Sequence, residues 1–183
     1  MEVIGRLDAG LLFWAEANRG PLLDAVMLFI TRLGNGGFIW IAITLFLLAR
    51  KKTRGAGTAA AAALIINFVL VNLLLKNIVA RPRPFAALEG LSLLIPPPAD
   101  WSFPSGHTSS SVAAAAALYK RLPKWAGIPL VILAILIALS RVYVGAHYPT
   151  DVLGGAAAGL VCGWLGEKLL HKLPQKAREK LGV

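Results

Sequence analysis

A chain of 183 residues with 57% hydrophobic and only 15% charged residues lies outside the range of ordinary soluble domains, in which about a quarter of residues are charged. The net charge of +10 would suggest a nucleic-acid partner for a soluble protein. Here Lys and Arg cluster in short loops beside apolar runs, so the charge reads as orientation in a bilayer and no nucleic-acid partner is expected.

Residues 3–17 place Val3, Ile4, Leu7, Leu11, Leu12 and Trp14 at roughly helical spacing. This predicts an amphipathic helix, either resting at the membrane interface or packed on the rest of the chain. Glu2, Asp8 and Glu16 interrupt the apolar stretch a cleavable signal would need, so none is expected. Gly20-Pro21 breaks the pattern. The apolar segment 22–33, interrupted by Asp24 and Arg32, is too short to span alone. After the flexible Gly34-Asn35-Gly36-Gly37, five spans are predicted at about 34–49, 56–75, 105–119, 125–142 and 149–170. Gly155, Gly159 and Gly163 in the last of these recur at four-residue spacing, which lets helices approach closely. The lone Cys162 in the same run cannot form an intrachain disulfide and reads as a small packing residue.

The expected fold is all-α: a polytopic membrane helix bundle of about five to six spans with an N-terminal amphipathic helix. It forms one domain over 1–183, with interfacial helices at 1–33, spans and site at 34–170 and a cytoplasmic tail at 171–183. Twelve of the 19 Lys and Arg residues, from Arg50 to Arg54, Lys120 to Lys124 and Lys168 to Lys180, fall on one side of these spans. The positive-inside rule places that side and the C-terminus in the cytoplasm.

Three segments on the opposite side carry chemistry. Lys76, Arg81-Pro82 and Arg83-Pro84 end the second span. Proline stops the helix there, and the cations either anchor it at the interface or face a ligand. Pro104-Ser105-Gly106-His107 opens the third span. A helix start offers free amides to an anion, and Gly106 allows close approach, although His107 alone reads equally as an interfacial histidine. Ser140-Arg141 closes the fourth span, and His147 precedes Asp151 by one helical turn. A carboxylate on one ring nitrogen leaves the other free as nucleophile or base; the alternative is a helix-capping Asp near a surface His.

Together these segments gather cations, a helix N-terminus, two histidines and a carboxylate on one membrane face, where ionisable groups are costly unless they serve a site. The set suits a phosphoryl group: cations for its oxygens, one histidine as nucleophile and one as acid. Carboxylates are scarce on that face, with Glu89 and Asp100 besides Asp151, so no metal site and no cofactor is expected.

The three segments resemble the signature of the type-two phosphatidic acid phosphatase superfamily, which also includes the vanadium haloperoxidases. Its Lys-x₆-Arg-Pro is matched by Lys76 to Arg83-Pro84. Its Pro-Ser-Gly-His is matched by residues 104–107. Its Ser-Arg-x₅-His-x₃-Asp is matched by Ser140-Arg141, His147 and Asp151. The resemblance implies that His147 attacks phosphorus, Asp151 orients it, and His107 protonates the leaving group and then activates water. It also implies that Lys76, Arg83, Arg141, Ser105 and the Gly106 amide hold the phosphoryl oxygens, without a metal.

The compact length and the segment before Phe103 look most like bacterial undecaprenyl pyrophosphate phosphatases, which recycle a lipid carrier on the outer membrane face. The expected substrate is thus a membrane lipid phosphate or pyrophosphate. Phosphatidylglycerol phosphate and phosphatidic acid are the alternatives, a haloperoxidase or a non-enzymatic lipid-binding protein more distant ones. Arg81 lies outside the signature and is expected near a second phosphate or headgroup. The apolar loop 85–103, with Leu93, Leu94 and Ile95, is expected either to border the lateral entrance for the lipid chain or to cover the helix ends.

Overall fold

The computed structural model describes residues 2–181, and every regular element among them is helical. Positions 1 and 182–183, the extremes of the expected domain, lie outside the described residues. Helix α1 (Glu2–Ala17) and α2 (Pro21–Leu33) lead through a tight turn at Asn35–Gly37 into α3 (Phe38–Ala49). Helix α4 (Arg54–Asn67) continues through a π-helical stretch (Phe68–Leu75) into α5 (Lys76–Val79). After the short α6 (Pro84–Ala87) and a long loop come α7 (Gly106–Arg121), α8 (Lys124–Tyr143), α9 (Pro149–His171) and α10 (Gln175–Leu181).

Polar groups are inside and apolar ones outside. Asp8, Asn67, Lys76, Arg83, Arg141, His147 and Asp151 are buried, while Leu22, Phe38, Ile65, Ile78, Trp125 and Leu153 are among the most exposed. Water would penalise that surface; a hydrocarbon solvent would not. Helix α1 follows the same rule. Val3, Ile4, Leu7, Leu11 and Trp14 point outward, and Asp8, Leu12 and Ala15 point inward. Leu12 therefore leaves the stripe expected of it and packs against Leu91 and Tyr148.

Helix α7 is the hub, packed against α4, α8 and α9. Its alanines make this possible. Ala113 and Ala117 join Ala59, Ala63 and Cys162 in one core, and Ala114 and Ala115 join Trp40, Ala134 and Ile137 in another. The Trp40 indole N–H donates to Ser111 Oγ at 2.8 Å, which ties α3 to the hub. The α9 glycines explain its close approach to α7. A methyl on Gly155 would fall 2.7 Å from the Ser105 carbonyl oxygen, and one on Gly159 2.5 Å from that of Ser109. The glycine spacing thus sets contact between spans, and it draws the start of α7 against the start of α9.

Among the described residues two stretches are long and apolar enough to cross a bilayer, the run beginning at Arg54 and α8; α2 and α3, bent by 47° at the turn between them, make a third if counted as one span. This is fewer than the expected five to six, although helices occupy all five expected segments. The shortfall has a physical origin. Helix α7 has 16 residues rich in Ser, Thr and Ala, and α9 is rich in Gly, because these helices face their neighbours more than lipid.

Candidate active site

The three motif segments converge at one end of the bundle, around a cavity of about 540 Å³. Lys76, Arg83, Asp100, His107, Arg141 and His147 line its polar end. Ile41, Leu64, Ile65 and Phe68 line another part of the wall, and Ile41, Ile65 and Phe68 are also exposed on the outer apolar surface.

His147 lies in the loop between α8 and α9 and is buried. Its Nε2 stands 3.2 Å from Arg83 Nη1. A guanidinium has no acceptor, so Nε2 carries the lone pair and Nδ1 the proton. Nδ1 faces Ser102 Oγ at 3.5 Å and Asp151 Oδ2 at 3.7 Å. Burial first, then Arg83 and Arg141, push the imidazole pKa down to about 4, although Asp151 pulls the other way. The ring is therefore neutral near pH 7, with an unprotonated Nε2 whose lone pair faces Arg83 Nη1.

Asp151 sits in the first turn of α9, where it caps the helix with its carboxylate 3.7 Å from the His147 ring. Its Oδ2 accepts the Tyr148 backbone N–H at 3.0 Å, capping the helix where a negative charge is favoured. The same oxygen accepts the Ser102 hydroxyl at 2.5 Å, beside the His147 ring. Behind it, Arg81 Nη1 donates to Asp151 Oδ1 at 2.6 Å and Nη2 to Asp8 Oδ2 at 2.9 Å, with the guanidinium lying over the Tyr148 ring. Arg81 thus supports the carboxylate from the protein side, which corrects the expectation that it holds a second phosphate or headgroup.

The cations are fixed by backbone oxygens. Lys76 Nζ donates to the Trp101 carbonyl at 3.0 Å; Arg83 donates through Nε to the Asp100 carbonyl at 2.7 Å and through Nη1 to that of Ala146 at 2.9 Å. Arg141 lines the cavity; its Nη1 donates to Thr31 Oγ1 at 2.5 Å, and its buried Nε has no partner among the described residues. Gly106 faces the cavity at the start of α7, where a methyl would approach Asn72 Oδ1 to 3.0 Å and Lys76 Cε to 3.7 Å. Ser105 is not in the cavity wall. Its Oγ accepts from Thr108, by the hydroxyl at 2.9 Å and the amide at 3.4 Å, and so caps α7.

His107 lines the cavity, and its Nε2 meets Asn35 Oδ1 at 2.9 Å. The Gly34–Gly37 segment, read from sequence as flexible, is a tight turn that holds this asparagine. Gly36 and Gly37 adopt positive φ, and any side chain on Gly34 would strike the His107 ring.

The loop 85–103 covers helix ends instead of bordering a lipid entrance. Leu93, Leu94 and Ile95 pack on Tyr143, Val144 and Ala146, and the Leu94 amide donates to the Val144 carbonyl at 3.1 Å. Only Pro98 and Asp100 of this loop reach the cavity.

Residues 55–175 match the PAP2 superfamily. The chain belongs to that superfamily. It is 35% identical to an undecaprenyl-diphosphatase of Sulfolobus acidocaldarius, over 90% of this chain and 79% of the relative. It is 37% identical to the undecaprenyl-diphosphatase BcrC of Bacillus subtilis, over 81% and 76% respectively. A transmembrane PAP2-type phosphatidylglycerolphosphate phosphatase from Bacillus subtilis superposes with a TM-score of 0.77 at 29% identity, covering 96% of this chain and 90% of that one. This PAP2 protein is therefore an integral membrane lipid phosphatase.

Sequence reading missed Asp8, Asn35 and Ser102 as members of this PAP2 site. Ser102 adjoins the second motif and was within reach of inspection. Asp8, a lone acid on the inward face of an otherwise lipid-facing helix, was the other available signal. Asn35 carried none beyond its glycine neighbours.

Proposed function

We propose that the protein hydrolyses a polyprenyl pyrophosphate, with undecaprenyl pyrophosphate as the first candidate, through a phosphohistidine on His147. The observation that carries this reading is the state of His147: Nε2 bears its lone pair beside a cationic cavity, and Nδ1–H is turned toward Ser102 and Asp151. Nε2 forms a bond to phosphorus as the bond from phosphorus to the leaving oxygen breaks. His107 gives that oxygen a proton. Lys76, Arg83 and Arg141 take up the charge on the remaining oxygens, joined by the amides at the start of α7. Water then attacks phosphorus, His107 removes its proton, and the P–N bond breaks to release inorganic phosphate and restore His147. The cationic donor set suits phosphoryl oxygens directly, which supports turnover without a divalent metal.

The cavity is too small for a long polyprenyl tail. Ile41, Ile65 and Phe68 offer a lane by which the headgroup enters while the tail stays in the bilayer. The cytoplasm is assigned to the end bearing the α3–α4 and α7–α8 links and α10, by loop charge, and the site to the outer face. The pyrophosphate is preferred because two relatives at 35–37% identity carry the undecaprenyl-diphosphatase name. The structural likeness to a phosphatidylglycerolphosphate phosphatase keeps that monoester as the second reading.

Phosphate release by purified protein in detergent with EDTA, comparing the two lipids, tests both. Faster turnover of the pyrophosphate, abolished in His147→Ala, is expected. Preference for phosphatidylglycerol phosphate would move the substrate, and activity lost to EDTA and restored by magnesium would overturn the metal-free mechanism.

A further inference from the structure

Among the described residues, Asp100 is the only Asp or Glu on the cavity wall. Its carboxylate is paired with both buried cations of the first motif: Oδ2 with Lys76 Nζ, and Oδ1 with Arg83 Nη2 at 2.5 Å. The two cations are 4% and 6% exposed, whereas the Asp100 side chain is 55% exposed and stands on a loop. One carboxylate thus spans two cations with two oxygens, as two oxygens of a phosphoryl group would.

The carboxylate is not what holds these cations in place. Lys76 is anchored by the Trp101 carbonyl and Arg83 by the carbonyls of Asp100 and Ala146. What the Asp100 side chain adds is negative charge. We propose that Asp100 is an internal anion that occupies the phosphoryl cradle between turnovers and excludes weakly charged phosphates from it, a specificity-determining residue of this site.

The need for such a residue follows from where the cavity opens. Its lane meets the lipid-facing surface at Ile65 and Phe68, so an empty cradle of three cations would be available to every phosphodiester lipid of the bilayer. A phosphodiester carries one negative charge spread over two free oxygens, the same charge as the carboxylate already there. It gains nothing by displacing Asp100 and must bear repulsion from it. A phosphomonoester or pyrophosphate brings more charge and a third terminal oxygen, which Arg141, the third cation on the cavity wall, can serve. Only these ligands repay the displacement, and the exposed loop position of Asp100 lets it swing aside.

The proposal rests on the reading of Lys76 and Arg83 as phosphoryl-binding groups, and its test separates the two. The wild type, Asp100→Asn and Asp100→Glu are compared in mixed micelles for turnover of the pyrophosphate lipid. Inhibition is measured with inorganic phosphate and with rising mole fractions of phosphatidylglycerol, a phosphodiester. In Asp100→Asn, inhibition by inorganic phosphate should tighten on the order of tenfold. Phosphatidylglycerol, nearly inert on the wild type, should become a competitive inhibitor, and Asp100→Glu should restore both resistances. Unchanged or weaker phosphate inhibition in Asp100→Asn, with wild-type turnover intact, overturns the role of Asp100. A loss of kcat with no change in either inhibition also overturns it, because it makes the carboxylate a participant in the reaction. A wild type that neither turns over the lipid nor is inhibited by phosphate instead overturns the reading of the cradle itself.

Discussion

Lys76, Arg81 and Arg83 share one short segment, yet they serve opposite sides of His147. Lys76 and Arg83 line the cavity, where the donors not held by backbone oxygens meet Asp100 and His147 Nε2. Arg81 turns the other way, into a buried layer with Asp8, Thr150, Ser102 and Asp151. Between α5 and α6 residues 80–83 are not helical, and Pro82 bars a helix there, so Arg81 and Arg83 can diverge. On the cavity side the cations rest on backbone oxygens, which in the proposed reaction leaves their other donors able to exchange partners. The rear side is closed, with each charge answered by another side chain. A cation in a catalytic motif is therefore not by itself a substrate contact; the direction of its side chain decides.

Substitution on the two sides should separate in kinetics. The largest effect after loss of His147 should belong to Arg83, which contacts the proposed nucleophile and lines the cavity proposed to hold the phosphoryl group. Arg83→Lys keeps the charge but cannot reach Ala146, Asp100 and the His147 ring at once, so kcat/KM should fall about a hundredfold. A fall below about fivefold would place the phosphoryl group elsewhere. Arg81→Met should lower kcat by about tenfold with little change in KM, because it acts on His147 only through Asp151. A rise in KM with unchanged kcat would return Arg81 to the substrate side.

The same division explains what the sequence made legible. The segments bearing His107, Arg141, His147 and Asp151 were legible because they gather on one membrane face and together resemble a family signature, whereas each alone had a plainer reading. The helical segments were equally plain from their apolar runs. Side-chain direction was not, since a Pro-Arg-Pro stretch has no period from which to infer a face. Hence Arg81 was expected at a headgroup and is found behind Asp151. Leu93, Leu94 and Ile95 were ambiguous for a related reason: an apolar loop that covers helix ends has the composition of one that touches lipid, and only the packing on Val144 distinguishes them. Asp8 and Asn35 were hidden because their partners lie far along the chain, at Thr150 and His107.

Acid titration probes the cavity side in a smaller step. The His147 imidazole is held near 4, below its ordinary value of 6.5, chiefly by burial and next by Arg83 and Arg141. Nε2 attacks only when unprotonated, so turnover should fall as pH drops through about 4, with no loss from this group between 6.5 and 5. Removing a cation makes protonation easier. The ratio of Arg83→Gln to wild-type turnover should therefore decline at a higher pH than 4, yet below 6.5, since burial remains. Taking the ratio cancels titration of the substrate. A ratio independent of pH would mean that Arg83 does not tune the nucleophile.

The smallest effect is expected at the outermost member of the rear layer. Asp8 accepts from the Thr150 amide at 3.0 Å and from its hydroxyl at 2.5 Å, besides Arg81. Asp8→Asn keeps one oxygen for these donors and removes the charge. Arg81 would remain on Asp151, so kcat should fall only two- to fivefold (about 0.4–1 kcal/mol) while KM holds. Thermal unfolding in detergent should move down by a few degrees as α1 loosens from α9, on the order of the cost of weakening one buried charged pair. The double variant Asp8→Asn/Arg81→Met discriminates between a chain of support and two separate supports. If Asp8 acts through Arg81, the pair should be no slower than Arg81→Met alone. Multiplying effects would instead show that α1 reaches the nucleophile by a second route, through Thr150 at the start of α9.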